Sequence, residues 1–269
     1  MELTDEMRSS VTIEERFAPG PTGAPDVRVL LYRLKGAVGT LPLIVNIHGG
    51  AFAMRSENFP ALDARLAMLG ALVVSVDYRI VPDHPFPCGA EDCYAALCWA
   101  VETLDIDPAR VVVTGASAGG ALSAAVTLMA RDRGGPAISF QALVIPVIDD
   151  RCETTSMQQF VEAPLFGGRE AKVMWDRYLG TDADRSRTSP YAAPGRAKDL
   201  VGLPPAFIQV GGLDPLRDEG IDYAVRLMAS GVAVELYCAS GQHHGLAEDA
   251  RTMAQATSLY HAAVAAAIA

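Results

Sequence analysis

Apolar residues recur along the chain in two rhythms. Short, nearly continuous runs rich in Val, Ile and Leu lie at Val27–Leu34, Leu43–Ile47, Leu72–Val76, Val111–Val113, Phe140–Ile145, Ala206–Val210 and Val232–Tyr237. Longer stretches with helical spacing separate them: Ala61–Leu69, Ala90–Thr103, Ala118–Arg131, Glu219–Ser230 and Glu248–Ala267. A strand with one wet face alternates apolar and polar residues, whereas a strand covered on both faces does not. Strand then helix, repeated, therefore predicts an α/β fold with a mostly parallel central sheet flanked by helices. Ahead of that pattern, Val11–Phe17 and Val27–Leu34 bracket the turn-rich PGPTGAPD and predict a hairpin.

The alternation lapses between 151 and about 200, where Phe160, Phe166, Trp175, Tyr178 and Tyr191 are scattered and Arg169–Leu179 has helical spacing. An insertion after a strand that ends near Ile148 predicts a cap or lid. The rest reads as one domain spanning 1–269, a length that buries a sizeable core.

Charge narrows the partners. The chain has 22 basic and 32 acidic residues, a net charge of −10, and no stripe of Arg and Lys, so a nucleic-acid partner is not expected. No apolar run approaches the length of a membrane span, and the opening MELTDEMRSS has no apolar signal core. The expectation is a cytoplasmic protein without a membrane partner. Of the five cysteines, Cys88, Cys93 and Cys98 recur every five residues along a predicted helix, which spreads them around it. With no CxxC, neither a zinc site nor a disulfide framework is predicted, and buried free thiols are expected.

The sharpest chemical signal is Gly115-Ala116-Ser117-Ala118-Gly119-Gly120, which follows the strand VVV and opens a helix. A strand-to-helix turn tight enough to expose a serine hydroxyl leaves no room for Cβ atoms beside it, hence the flanking glycines. Taken alone, the same letters also fit a small-residue helix start. The second signal is His48-Gly49-Gly50-Ala51-Phe52, directly after LIVNI. A Gly-rich loop at a strand end can aim backbone N–H groups at one point, as an oxyanion requires, and Ala118 after the serine offers another such N–H. A base and an orienting acid are then needed. Among His48, His84, His243, His244 and His261, the pair His243-His244 lies just past a strand, and Gly245 leaves room for the His244 ring. Asp214 follows the strand AFIQV, with Asp218 and Glu219 as rivals that suit the start of the next helix. The order Ser117, Asp214, His244 is that of α/β hydrolases.

Together with DYRIVPDHPFP (Asp77–Pro87), DPLRDEG (Asp214–Gly220) and HHGL (His243–Leu246), these motifs resemble the bacterial hormone-sensitive-lipase-like esterases of the α/β-hydrolase superfamily, from Asp26 to the C-terminus. The resemblance implies Ser117 as nucleophile, Asp214 as acid and His244 as base. It implies N–H donors from Gly50, Ala51 and Ala118, structural roles for Asp77, Tyr78 and Arg79, and no cofactor or metal. A small-molecule ester is the implied substrate. Three departures stand out: Ala51 replaces a usual third Gly, Ala116 stands where Asp or Thr is common, and His48 comes early, implying a reduced N-terminal cap. Two other readings share the fold: a formamidase or amidase, and a non-catalytic binding protein.

Overall fold

The computed structural model describes residues 2–269. A short helix, α1 (Asp5–Ser10), leads into β1 (Val11–Ala18), which pairs antiparallel with β2 (Val27–Leu34) in the expected hairpin. The alternating units follow: β3 (Leu41–Ile47), α2 (Pro60–Ala67), β4 (Leu72–Asp77), α3 (Cys88–Thr103), β5 (Ile106–Ala116), α4 (Ala118–Arg133) and β6 (Phe140–Val144). After α5 (Thr155–Gln159) and α6 (Gly168–Leu179) come β7 (Ala206–Gly211), α7 (Arg217–Ala229) and β8 (Val234–Ala239). A two-residue hairpin, β9 (Gln242–His243) with β10 (Leu246–Ala247), precedes α8 (Ala250–Ile268).

The eight-stranded sheet runs in the order β1-β2-β4-β3-β5-β6-β7-β8. Pairing is antiparallel from β1 to β4 and parallel from β4 through β8, which makes the expected mostly parallel α/β-hydrolase sheet. Its inner strands are buried on both faces because their residues alternate between two apolar layers. Val45, Val74 and Val113 pack towards α3 and α4, while Ile44, Val73 and Val112 pack towards α2 and α8. Helix α4 is buried from Ala118 through Ala130, which its run of small residues permits. Gly134 stops it in the left-handed conformation (φ 62°).

Several boundaries differ from the sequence reading. β5 begins at Ile106, well before Val111, because Leu41 pairs with Ile106 across a register shift that accommodates Pro108. α8 begins after Asp249, whose carboxylate caps the helix through the Thr252 N–H at 2.7 Å. The five thiols are free, but only Cys93 and Cys152 are buried, and Cys238 is exposed on the outer strand β8. Among the described residues, no helix is long and apolar enough to cross a membrane.

Candidate active site

The C-terminal ends of β3, β5 and β7 and the hairpin beyond β8 meet at one edge of the sheet, where open parallel sheets bind ligands. At the β5–α4 joint Ser117 is held at φ 58°, ψ −119°, a conformation strained for any residue with a side chain. Its N–H donates to the Val144 carbonyl at 2.9 Å, and its own carbonyl accepts from the N–H groups of Ala121 (3.1 Å) and Val147 (3.2 Å). The neighbouring glycines are sterically required. A Cβ on Gly119 would collide with the Ile47 carbonyl, one on Gly115 with the Gly119 carbonyl, and one on Gly120 would lie 2.9 Å from the Pro146 side chain.

Beyond β7 the chain turns at Gly211 and presents Asp214, which is 1% exposed. One of its oxygens accepts the Leu216 N–H at 2.9 Å, and the other lies 2.8 Å from Nδ1 of His244. Nε2 of His244 lies 2.8 Å from Ser117 Oγ. The β9–β10 hairpin presents the imidazole. Gly241 and Gly245 take left-handed conformations at either side of it, and the Gln242 carbonyl accepts the Leu213 N–H at 2.9 Å, tying the His244 loop to the Asp214 loop. The Phe166 ring leans on the imidazole with centroids 4.6 Å apart. His243 turns away, with its Nε2 4.0 Å from a Glu248 oxygen and its Nδ1 buried without a partner.

The loop after β3 packs against the elbow so closely that a Cβ on Gly49 would come within 2.7 Å of the Ala116 carbonyl. Gly50, Ala51 and Phe52 follow with φ of 101°, 54° and 59°. Two of these are not glycine, a strain of roughly 1–2 kcal/mol each that the surroundings must offset. They do so by packing. Phe52 stacks on Tyr178 at 3.7 Å, and its carbonyl accepts the Val81 N–H at 2.9 Å. His48 stacks on Tyr78 at 4.3 Å, and the Tyr78 hydroxyl donates to the His48 carbonyl at 3.0 Å. Burial pushes the His48 imidazole below its ordinary pKa, so it is neutral, with Nδ1 2.8 Å from the Gly49 carbonyl. The amides of Gly50 and Ala51 have no acceptor among the described residues. The first amide of a helix, here Ala118, also lacks an intrahelical partner. All six residues singled out by sequence, Ser117, Asp214, His244, Gly50, Ala51 and, at the start of α4, Ala118, thus converge at this edge.

The DYR segment sits beneath them. Asp77 accepts from the Ser56 N–H (3.1 Å) and hydroxyl (3.2 Å) and lies 3.4 Å from both Arg28 and Arg55. Arg79 grips the buried Asp92 through two nitrogens, at 2.8 and 2.7 Å. Phe52 and Trp175 are fully buried and pack with Tyr178. Phe160 instead carries the Arg217 guanidinium over its ring. Glu219, which suits a helix start, is a buried anchor whose Oε1 accepts the N–H groups of Ile148 (2.6 Å) and Asp149 (3.1 Å). Burial pushes its carboxyl well above the usual range. Its position in a helix's first turn hid this role, because acids are common there for unrelated reasons. Among the described residues, no group of three or more His, Cys, Asp or Glu converges as metal ligands.

Residues 44–248 match the family model for the alpha/beta hydrolase fold. The chain is 40% identical over 251 residues to Carboxylesterase NlhH of Mycobacterium tuberculosis, covering 91% of this chain and 77% of that protein. Esterase LipI of the same organism is 37% identical over 231 residues, covering 84% of this chain and 72% of the relative. Among solved structures, a bacterial heroin esterase superposes with a TM-score of 0.93 at 41% identity, covering 97% of this chain and 85% of the other. The chain belongs to the α/β-hydrolase-fold family. Within it, the chain falls in the hormone-sensitive-lipase-like group of carboxylic ester hydrolases.

Proposed function

We propose that this protein hydrolyses small to medium acyl esters through a covalent acyl-enzyme on Ser117. The observation that carries the reading is the unbroken chain from Ser117 Oγ through His244 to the buried Asp214, with both contacts at 2.8 Å. His244 takes the hydroxyl proton as Oγ attacks the ester carbonyl, and Asp214 fixes the ring and stabilises its charged form. The N–H groups of Gly50, Ala51 and Ala118 receive the oxyanion. His244 then returns the proton to the departing alcohol, and water repeats the sequence to free the acid. None of these steps needs a cofactor.

The segment 151–200 acts as the lid. Phe166 closes over the base, and a cavity of about 370 Å³ lies between Ala51 and Ala53 on one side and, on the other, Phe166, Val173 and Met174 with the charged Arg169, Glu170 and Arg177. That volume is at the small end of ligand pockets, roughly 300–1,000 Å³, which favours modest acyl groups. The relatives named above are esterases by name, which supports an ester over an amide. The test is a series of p-nitrophenyl esters of rising chain length with wild type and Ser117→Ala. Activity should peak at short to medium chains and fall by about 10⁶ in the variant, which should also lose labelling by a fluorophosphonate. Full activity in Ser117→Ala would refute the reading.

A further inference from the structure

A second cavity lies on the opposite face of the sheet from α4. It occupies about 260 Å³ between α2 and α8, just under the roughly 300 Å³ at which small-molecule pockets begin. Its interior is mostly apolar, built from Ile47, Phe59, Leu62, Leu66, Val144 and Tyr260. Its inner wall takes Gly49 and Ala116 and its rim the exposed Gly245, each next in sequence to a group the reaction would use, but none of Ser117, Asp214 or His244. Its lining comes mainly from β3, β5, α2 and α8 and shares no residue with the cavity under α6, which puts it on the other side of the sheet edge from that cleft. On its outer side it continues into a surface depression that shares Arg65, Met253, Thr257 and His261 with it.

Arg65 is the informative residue at that mouth. It is half-buried, and no hydrogen bond or ion pair engages its guanidinium among the described residues. The nearby carboxylate of Asp63 is already taken up by Asn46 and Ser75. His261, pushed down in pKa by burial and then by the Arg65 charge, is no counter-charge either, since an imidazole is neutral or cationic. A guanidinium with no acceptor from the protein is open to one from a ligand, and its fork matches a carboxylate in two parallel bonds. An apolar chamber with one unmatched cation at its entrance is complementary to an aliphatic carboxylate.

We propose that the chamber between α2 and α8 is a second, non-catalytic site for a medium-chain aliphatic carboxylate. The chain fills the space behind the HGG loop, and the carboxylate sits on Arg65. Because its inner wall and rim adjoin the segments that carry the oxyanion donors, the nucleophile and the base, occupancy slows turnover without blocking the cleft. That last consequence rests on the esterase reading, whereas the binding itself does not.

The experiment measures octanoate, octanol and acetate binding by calorimetry on Ser117→Ala, so that binding is read without catalysis. Octanoate should bind saturably and acetate should not. Arg65→Glu in the same background should weaken octanoate at least tenfold and leave octanol unchanged. Leu62→Trp, which fills the chamber, should abolish both. Arg65→Gln, closer in shape, should also weaken octanoate if Arg65→Glu does not fold. In the wild type, octanoate should lower kcat for p-nitrophenyl acetate more than it raises KM. Octanoate binding that survives all three substitutions would overturn the proposal. So would binding abolished by phosphonylation of Ser117 in the wild type, which would put the chain in the catalytic cleft.

Discussion

Ser117 and His244 meet at 2.8 Å, yet the segments that carry them are built by different means. The serine stands on a joint where backbone packs on backbone: Gly119 against the Ile47 and His48 carbonyls, Gly115 against Gly119, Gly49 against Ala116. Nearly every residue around it is buried. The histidine stands at the turn of a two-residue hairpin whose next two residues, Gly245 and Leu246, are exposed, and which is tied down by single hydrogen bonds and the edge of Phe166. Ser117 is fixed by sterics and His244 by a few replaceable contacts. A strained serine must be over-determined to persist. On the proposed mechanism, an imidazole that passes a proton in both directions tolerates small adjustments, so long as its partner carboxylate moves with it.

Substitutions on the two sides should separate them. The largest effect is expected at Gly119→Ala, where the new methyl must displace the Ile47 carbonyl. A loss of about 4 kcal/mol, read as a fall in Tm of about 10 °C, should accompany loss of activity. A Tm within a degree of wild type would show that the joint is not steric. On the base side, Asp214→Asn should leave Tm nearly unchanged and lower kcat by about 10⁴, because the amide favours the wrong imidazole tautomer. Equal losses of stability and rate there would erase the distinction between the two sides. Phe166→Ala should cost only about tenfold in kcat/KM, since it removes a contact to the ring and leaves the Asp214 bond intact. A loss approaching that of Asp214→Asn would make the lid a principal holder of the base.

The smallest effect is a pH dependence confined to the serine side. Asp63 is buried beneath β3 and accepts from Asn46 at 2.6 Å and Ser75 at 3.0 Å. Burial pushes its carboxyl up to about 7. A folded-state pKa above the unfolded one gives stability that is complete below the usual carboxylate range and is lost as pH rises towards 7. Thermal melts from pH 4 to 8 should therefore show wild type losing a few degrees that Asp63→Asn does not lose. Parallel curves would remove Asp63 as the source.

The same contrast explains what could be read from the sequence. The elbow was legible because a steric requirement is written in residue type: only glycine fits beside Ser117, and Gly115, Gly119 and Gly120 are all present. The parallel strands were legible because burial on both faces forces continuous Val, Ile and Leu. His244 was legible at one remove, through the Gly245 that gives its ring space. The β9–β10 pairing was not, since two residues per strand carry no periodicity. Nor was Glu219, whose partners are backbone amides some 71 residues away in the chain and leave no mark on composition. The aromatics of 151–200 showed apolar content but not direction, so Phe166 against the base and Trp175 in the core looked alike.

The hydrogen bond between Ser117 and His244 spans 127 positions in the chain. Synthesis proceeds from the N-terminus at about 5–20 residues per second, so the elbow emerges many seconds before its base does. On the proposed mechanism, Ser117 has no base beside it throughout that interval. Asp214 and His244 come only with β7 and the β9–β10 hairpin, after which α8 closes on β5 through Tyr260 and Thr114 at 2.9 Å. The order of the motifs therefore delays assembly of the three groups until most of the chain is made.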